Sequence, residues 1–307
     1  MTKIKMRLGT RQSPLAMAQA EEARALICAK HGWELSEVEL VKVRASGDKI
    51  QDRPLADIGG KALWTRELDV WLAEGKIDAA VHSMKDVETL RPGSLTIAAI
   101  LPREDVRDVL IGAASIQHIP HGGRVGTSAP RRASQMLHQR RDCEIVSFRG
   151  NVATRLAKLA DGEADVTLLA AAGLNRTGRQ DIGTVLDADN WLPAPAQGAI
   201  GIECNTADAE TAARLLAIDH TPSRQTVMAE RALLEGLGGT CHSPIAALSH
   251  LEGDMLTMKA AIFSSDGSER IEGVLTAQAE DLDEFRWFGA SLLGKAPDQV
   301  AKLFAAR

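Results

Sequence analysis

Apolar positions along the chain follow two alternating periods, and the breaks between them predict the elements. Lys3 to Leu8 reads as a short strand, interrupted by Gly9-Thr10-Arg11-Gln12-Ser13-Pro14. Ser13 suits an N-cap and Pro14 a first helical position, so a helix is expected from there to about Lys30, with Gly32 as its stop. Val38 to Val43 predicts a second strand, and a polar, glycine-containing stretch, Ser46 to Lys61, follows it. Leu63, Trp64, Leu68, Trp71 and Leu72 then share one helix face that ends at Gly75. Asp78 to Val81 reads as a buried strand and Leu95 to Leu101 as another.

The pattern then restarts. Arg124-Val-Gly-Thr127 resembles Arg7-Leu-Gly-Thr10, and each precedes a proline and a helical run. Leu159 to Leu168 resembles Leu72 to Val81, with four of ten positions identical. The offsets differ, 117 residues against 87, so this is no solenoid period. It predicts two domains of like architecture, each alternating strand and helix, hence α/β sheets with right-handed crossovers. Leu192-Pro-Ala-Pro-Ala-Gln-Gly198 is a proline-rich crossing, and the strand after it, Ala199 to Cys204, is placed to return to the first domain. A helix is expected over Ser223–Leu237, then a hairpin pairing Met258–Phe263 with Ile271–Leu275, then two helices. The boundaries expected are 1–100 with 200–218, 101–199, and 219–307.

Composition narrows the classes. The 307 residues are 45% apolar and 25% charged, ample for cores and inconsistent with disorder. The net charge of −5 and 3% aromatics, without tyrosine, argue against a nucleic-acid binder that stacks bases. No window is apolar enough to span a membrane, and the basic N-terminus lacks the apolar core of a signal peptide. Cys28, Cys143, Cys204 and Cys241 show no CxxC spacing, so no metal site is expected and a reducing cytoplasm fits.

Three features carry candidate chemistry. From Arg124 to Arg155 lie seven arginines, no lysine and two acids, a local excess of +5 in an acidic chain. Arginine without lysine points to bidentate recognition of carboxylate or phosphate. Arg131 and Arg132 also sit near an expected helix N-terminus at Thr127 or Ser128, where free N–H groups favour anions. The competing reading is a solvated arginine-rich helix face, to which Arg140 and Arg141 are assigned. Second, His82, Lys85 and Asp86 come off the end of a buried strand, where open α/β sheets place ligands. A surface Lys–Asp pair of little energetic weight is the competing reading there. Third, Cys241 lies in a glycine-flanked loop beside His242, accessible to reagents, although a lone cysteine is more often a small buried apolar residue. Cys28 and Cys204 read as core.

Taken together, these segments resemble the porphobilinogen deaminase family, also called hydroxymethylbilane synthases. The resemblance is carried by Thr10-Arg-Gln-Ser-Pro-Leu15, Gly59-Gly-Lys61, Val81-His-Ser-Met-Lys-Asp-Val87, Gly126-Thr-Ser128 with Arg131-Arg132, Arg149-Gly-Asn-Val152, Thr154-Arg155, Gln197-Gly198 and Gly239-Thr-Cys241, in order. It implies two α/β domains like those of periplasmic binding proteins plus a small α+β C-terminal domain. It implies a dipyrromethane cofactor held by a thioether to Cys241, and successive addition of four porphobilinogen molecules with loss of ammonia to give hydroxymethylbilane. It assigns the catalytic carboxylate to Asp86. Carboxylates of the cofactor and growing pyrrole chain would be bound by Arg11, Ser13, Lys61, Lys85, Thr127, Ser128, Arg131, Arg132, Arg149, Arg155 and Arg176, with Gln197 and Gly198 at a hinge. It suggests a cytoplasmic monomer with no nucleic-acid or membrane partner.

Several positions depart from the family pattern. Asp57 stands where a lysine is frequent, Trp64 for phenylalanine, Glu88 for a proline, Ala196 for a glycine and Thr240 for a glycine. None removes a proposed chemical group; Glu88 is expected to loosen its turn and Ala196 to add a Cβ at a hinge. The alternative function is a noncatalytic small-anion-binding protein of the same architecture, which explains the arginines but gives Cys241 no task.

Overall fold

The computed structural model describes residues 3–43, 65–240 and 243–304. The chain opens with β1 (Met6–Arg11), α1 (Pro14–His31), β2 (Val38–Val43), α2 (Arg66–Ala73), β3 (Ala79–Ser83) and β4 (Leu95–Ile100). Ser13 caps α1 by accepting from the Ala16 N–H, and Gly32 ends it in the left-handed conformation at φ 64°, as the sequence predicts. The buried stripe of α1, Ala20, Ala23, Ile27 and Cys28, packs on Met6, Leu8 and Val81 of the sheet.

A second set follows: β5 (Asp108–Ile111), β6 (Arg124–Gly126), α3 (Pro130–Gln139), β7 (Glu144–Val146), α4 (Val152–Ala160), β8 (Val166–Ala170), α5 (Ala171–Arg176) and the two-residue β9 (Thr184–Val185). Then come β10 (Ile200–Asn205), α6 (Ala209–Leu216) and α7 (Thr221–Leu237). The chain ends with β11 (Ile245–Glu252), β12 (Met255–Phe263), β13 (Arg270–Gln278), α8 (Leu282–Gly294) and α9 (Asp298–Ala301).

Three sheets result, in the orders β2-β1-β3-β10-β4, β7-β6-β8-β5-β9 and β11-β12-β13. The first two are each built on three parallel strands with one antiparallel neighbour: β10 lies antiparallel to β3, and β5 antiparallel to β8. The returning strand β10 thus joins the first sheet. The third is an antiparallel meander covered by α7 and α8, with Leu233, Leu256, Phe285 and Leu292 in its core. Where the sequence suggests a hairpin, β11 adds a third strand. By compactness the described chain divides into two units, changing unit after Glu104, Gln197 and Arg224, and the third sheet groups with the second.

The internal repeat has a physical basis. In the first unit the Arg7 N–H donates to Asp78 Oδ2 at 2.7 Å and the guanidinium grips the same carboxylate. In the second, Arg124 does the same to Asp165, also at 2.7 Å from the backbone. Each pair ties the start of one parallel strand to the start of its neighbour, at the edge opposite the carboxyl ends.

Ala196 is the one non-glycine with positive φ among the described residues, at 59°. Its buried N–H donates to Glu230 Oε2 at 2.6 Å, which holds the backbone there. A left-handed L-residue costs about 1–2 kcal/mol, and glycine gives back about 0.5–1 kcal/mol through chain entropy. Ala196→Gly is therefore expected to stabilise the protein by about 0.5–1 kcal/mol, a rise of a few degrees in a thermal scan. An unchanged or lower melting temperature would show that the strain is relieved elsewhere.

Candidate active site

In the first sheet β1, β2, β3 and β4 run in the same direction, so their carboxyl ends lie along one edge. That edge is where an open α/β sheet leaves a crevice for ligands. Arg11 closes β1 there and Ser13 follows it at the cap of α1. β3 runs directly into a 3-10 turn, Met84–Asp86. The turn is anchored from below. The Met84 N–H donates to the Ala199 carbonyl at 3.0 Å, and the Val87 N–H returns to the Met84 carbonyl at 3.3 Å. The buried Met84 side chain lies over Gly201, where any Cβ would meet its sulfur. With Met84 and Val87 buried, Lys85 and Asp86 are left half-exposed at the edge. Beneath them Gln19 Nε2 donates to Ser83 Oγ at 2.8 Å.

The second sheet repeats the plan. The carboxyl ends of the parallel strands β6, β7 and β8 share an edge. Thr127 and Ser128 follow β6, Arg149 follows β7, and α5 follows β8 and ends in Arg176. Arg155, on α4, donates from Nε to the Gly150 carbonyl at 3.1 Å. The helix cap differs from the sequence expectation. Ala129, not Thr127 or Ser128, is the N-cap of α3, with Pro130 first in the helix. Thr127 Oγ1 accepts from the Ala129 N–H at 3.2 Å, and Ser128 Oγ donates to the Phe148 carbonyl, so both hydroxyls brace the loop ahead of the helix.

The arginine-rich segment requires a correction. Arg124 pairs with Asp165 at the far edge of the sheet. Arg140 is no solvated helix residue: it grips Asp142 and donates to the Ile116 and Ile119 carbonyls. Arg131 and Arg132 are buried, and both close on Asp108, the first residue of β5. Trp191 Nε1 and Gln197 Nε2 donate to the same carboxylate, each at 2.8 Å. Burial alone would push the Asp108 carboxyl up, but the two guanidiniums and these donors hold it far below the usual carboxylate range. Two cations and one anion leave a net +1 at this place rather than two uncommitted cations. Arg149, Arg155 and Arg176 are half-buried.

Sequence reasoning missed Asp108 and Trp191. A signal existed: two adjacent arginines heading an amphipathic helix, with only Asp142 and Glu144 nearby, need a counter-charge from elsewhere, and Asp108 precedes the apolar run Val109-Leu-Ile111. Gln197 takes part through Asp108 and the Val106 carbonyl, its Nε2 2.7 Å from that oxygen. Gly198, next to it, adopts φ 84°.

His82 also departs from expectation. It does not leave the strand end but stays buried in β3, with Nε2 3.1 Å from Oε2 of the fully buried Glu203 on β10. Burial raises the Glu203 carboxyl, but His82 and Arg91 outweigh it and hold it at about 2. Cys28, Cys143 and Cys204 are buried free thiols, and burial pushes the Cys204 thiol up to about 11. They fit the core role the sequence gives Cys28 and Cys204. Lys61, Cys241 and His242 lie outside the described residues, as do Asp57 and Trp64. Among the described residues no cluster of three His, Cys, Asp or Glu side chains could hold a metal, and no helix is long and apolar enough to cross a membrane.

Comparison with known proteins gives the geometry a context. A periplasmic binding protein of Salmonella typhimurium with high arginine specificity superposes with a TM-score of 0.41 at 12% identity, covering 72% of this chain and 96% of that one. Porphobilinogen deaminase of Sphingopyxis alaskensis is 53% identical over 98% of this chain and 96% of its own length. The enzyme of the same name from Paracoccus denitrificans is 47% identical over 90% of this chain and 89% of its own. Residues 6–213 match the family described as porphobilinogen deaminase, dipyromethane cofactor binding domain, and residues 224–294 match the porphobilinogen deaminase C-terminal domain. The carboxylate on a rigid turn and the cationic sheet edges are thus carried by a chain that belongs to the porphobilinogen deaminase family.

Proposed function

We propose that Asp86 is the catalytic carboxylate of this chain and that Cys241 carries its dipyrromethane. As a family member the chain joins four porphobilinogen molecules head to tail into the linear tetrapyrrole hydroxymethylbilane, releasing ammonia at each addition. The observation that carries the Asp86 assignment is its position. It is half-exposed on a turn whose neighbours are buried and hydrogen-bonded, at the carboxyl edge of the first sheet and one strand from Arg11.

The residues present fit a dipyrromethane. Its acetate and propionate groups call for cations, and its ring N–H groups call for an acceptor. The carboxyl edge of the first sheet offers Arg11 and Lys85 for the first need and Asp86 for the second, and Arg149, Arg155 and Arg176 are the cations of the second sheet's edge. When bound, the dipyrromethane supplies the primer for the first addition.

Charge-assisted hydrogen bonds contribute about 1.5–3 kcal/mol each, so several clamps retain a growing polyanion between additions. Ser13, whose Oγ accepts from the Ala16 N–H, keeps its hydroxyl hydrogen for a carboxylate at the first edge, and Lys61 adds a cation. Arg131 and Arg132 contribute the net +1 left by Asp108 and fix the start of α3. Loss of ammonia makes the incoming pyrrole electron-poor, and the coupling step places positive charge on the ring system. The Asp86 carboxylate stabilises that charge and accepts or returns a proton at Oδ. We place the protein in the cytoplasm, in keeping with its buried free thiols, and take it as a monomer from the family resemblance.

The intact mass of denatured, purified protein tests the attachment. We expect an increment of two linked pyrrole units that Cys241→Ser lacks, with loss of hydroxymethylbilane formation in that variant. An increment that survives Cys241→Ser would move the attachment to another residue. A wild type without increment that does not gain one from added porphobilinogen would favour the noncatalytic anion-binding reading.

A further inference from the structure

We infer that Arg91 is a positioning residue for the Asp86 turn, acting with Glu88 as an ionic staple. This rests on the catalytic reading of Asp86. Glu88 was expected to loosen the turn. The structure gives it a partner instead. Arg91 Nη1 lies 2.7 Å from Glu88 Oε2. The same guanidinium makes a bidentate bond to Glu203, with Nε 2.8 Å from Oε1 and Nη2 2.9 Å from Oε2. Its Nη2 also reaches Asp69 of α2. Thr65, the residue ahead of α2, donates from Oγ1 to Glu88 Oε2 at 2.9 Å.

One side chain, itself only 8% exposed, therefore joins three elements of the first unit: the segment just after Asp86, strand β10 and the start of α2. Glu203 is the fixed point. It sits opposite Ala80 in the β10–β3 register, is fully buried, and is held ionised between His82 and Arg91. The Asp86 turn is thus held from both ends. Its start is fixed by Met84 on Ala199 and Gly201, and its exit by Glu88 and Arg91 on the same strand. Three carboxylates close on the Arg91 guanidinium, with His82 beside Glu203. A lysine has a compact ammonium and no planar fork, so it cannot bridge Glu203 bidentately while reaching Glu88 and Asp69.

A reacting group displaced by about 1 Å can lose on the order of 100-fold in rate, and a loosened turn loses part of that. The staple acts through the position of the turn, so its removal should act on turnover rather than on substrate binding.

The test is steady-state kinetics on the cofactor-loaded holoenzyme, with loading confirmed by intact mass and assays run well below the melting temperature. Arg91→Lys is expected to lower kcat about 10-fold while KM for porphobilinogen stays within about 2-fold. Glu88→Gln keeps the shape and the rest of the network, and should lower kcat about 3-fold with the same split. It decides the question if Arg91→Lys does not fold. Wild-type kcat in folded, loaded variants would overturn the inference, as would a change confined to KM. Asp86→Asn is assayed in parallel. If it is active, the catalytic reading fails; if it is inactive while the staple variants match wild type, only the staple fails.

Discussion

Asp86→Asn is expected to lower the rate of hydroxymethylbilane formation by about 100- to 1,000-fold, with the melting temperature nearly unchanged. The size follows from two roles removed at once. A positioned proton-transfer group contributes roughly 10²–10⁴-fold, and a preorganised charge facing one that develops in the transition state contributes roughly 10²–10³-fold; because the proposal gives both roles to one carboxylate, the two do not multiply. The lack of effect on stability follows from the fold. The turn is held by Met84, Val87 and the Glu88–Arg91 pair, while Asp86 itself is half-exposed at the sheet edge. Asp86→Glu restores the charge but carries it one methylene too far, so it should recover part of the rate and none of the wild-type maximum. The measurement is single-turnover release of ammonia from porphobilinogen by variants whose cofactor load has been weighed. An Asp86→Asn enzyme that is fully loaded and turns over at the wild-type rate would remove Asp86 from the reaction.

The place of Asp86 at a strand end was legible in the sequence because its signal is local, whereas its role is implied by the family resemblance. A buried strand followed by Ser-Met-Lys-Asp places the acid at a strand's carboxyl end whatever the rest of the fold does. The same holds for Ser13, whose capping role depends on the three residues after it, and for Gly32. The arginines were legible only in type. Arg149, Arg155 and Arg176 stand along the expected edge, but Arg124, Arg131, Arg132 and Arg140 are committed to carboxylates. Three of those four partnerships cross at least 23 residues of chain, so the arginines' own neighbourhood does not single out Asp108 or Asp165 as the counter-charge. β5 escaped for a related reason. Four residues, Asp108-Val-Leu-Ile111, carry too little periodicity to stand out, and pairing with β8 and β9 makes the strand. Glu88 shows the reverse error. Read alone it weakens a turn; with Arg91 three residues on and Glu203 across the sheet it fastens one.

Asp108 gives a large stability effect. Asp108→Asn is expected to destabilise the second unit by about 3–5 kcal/mol, because removing one member of a buried ionic group strands the others. The substitution cannot be absorbed by turning the amide. One carboxylate oxygen accepts from Arg132 Nη2 and Gln197 Nε2, the other from Arg131, Arg132 Nε and Trp191 Nε1. Whichever oxygen becomes an NH2 faces at least two donors, and two buried guanidiniums lose their counter-charge. A drop on the order of 10 °C in melting temperature is expected for a unit of this size. By contrast Asp165→Asn, which breaks a pair exposed by about 40% on each side chain, should cost no more than about 1 kcal/mol. The pH dependence has a definite sign. The folded Asp108 carboxyl lies far below its unfolded value, so the unfolded chain binds the extra proton first as pH falls. Its stabilisation is complete above the unfolded pKa of about 3.9 and is lost progressively below it. Wild-type stability should therefore fall on acidification from about pH 5 to pH 2, and Asp108→Asn should show a shallower slope over that range. Equal melting temperatures for Asp108→Asn and Asp165→Asn would mean that water or rearranged side chains satisfy Arg131 and Arg132, and that the five-donor carboxylate is not what fixes α3, Trp191 and Gln197 to the second sheet.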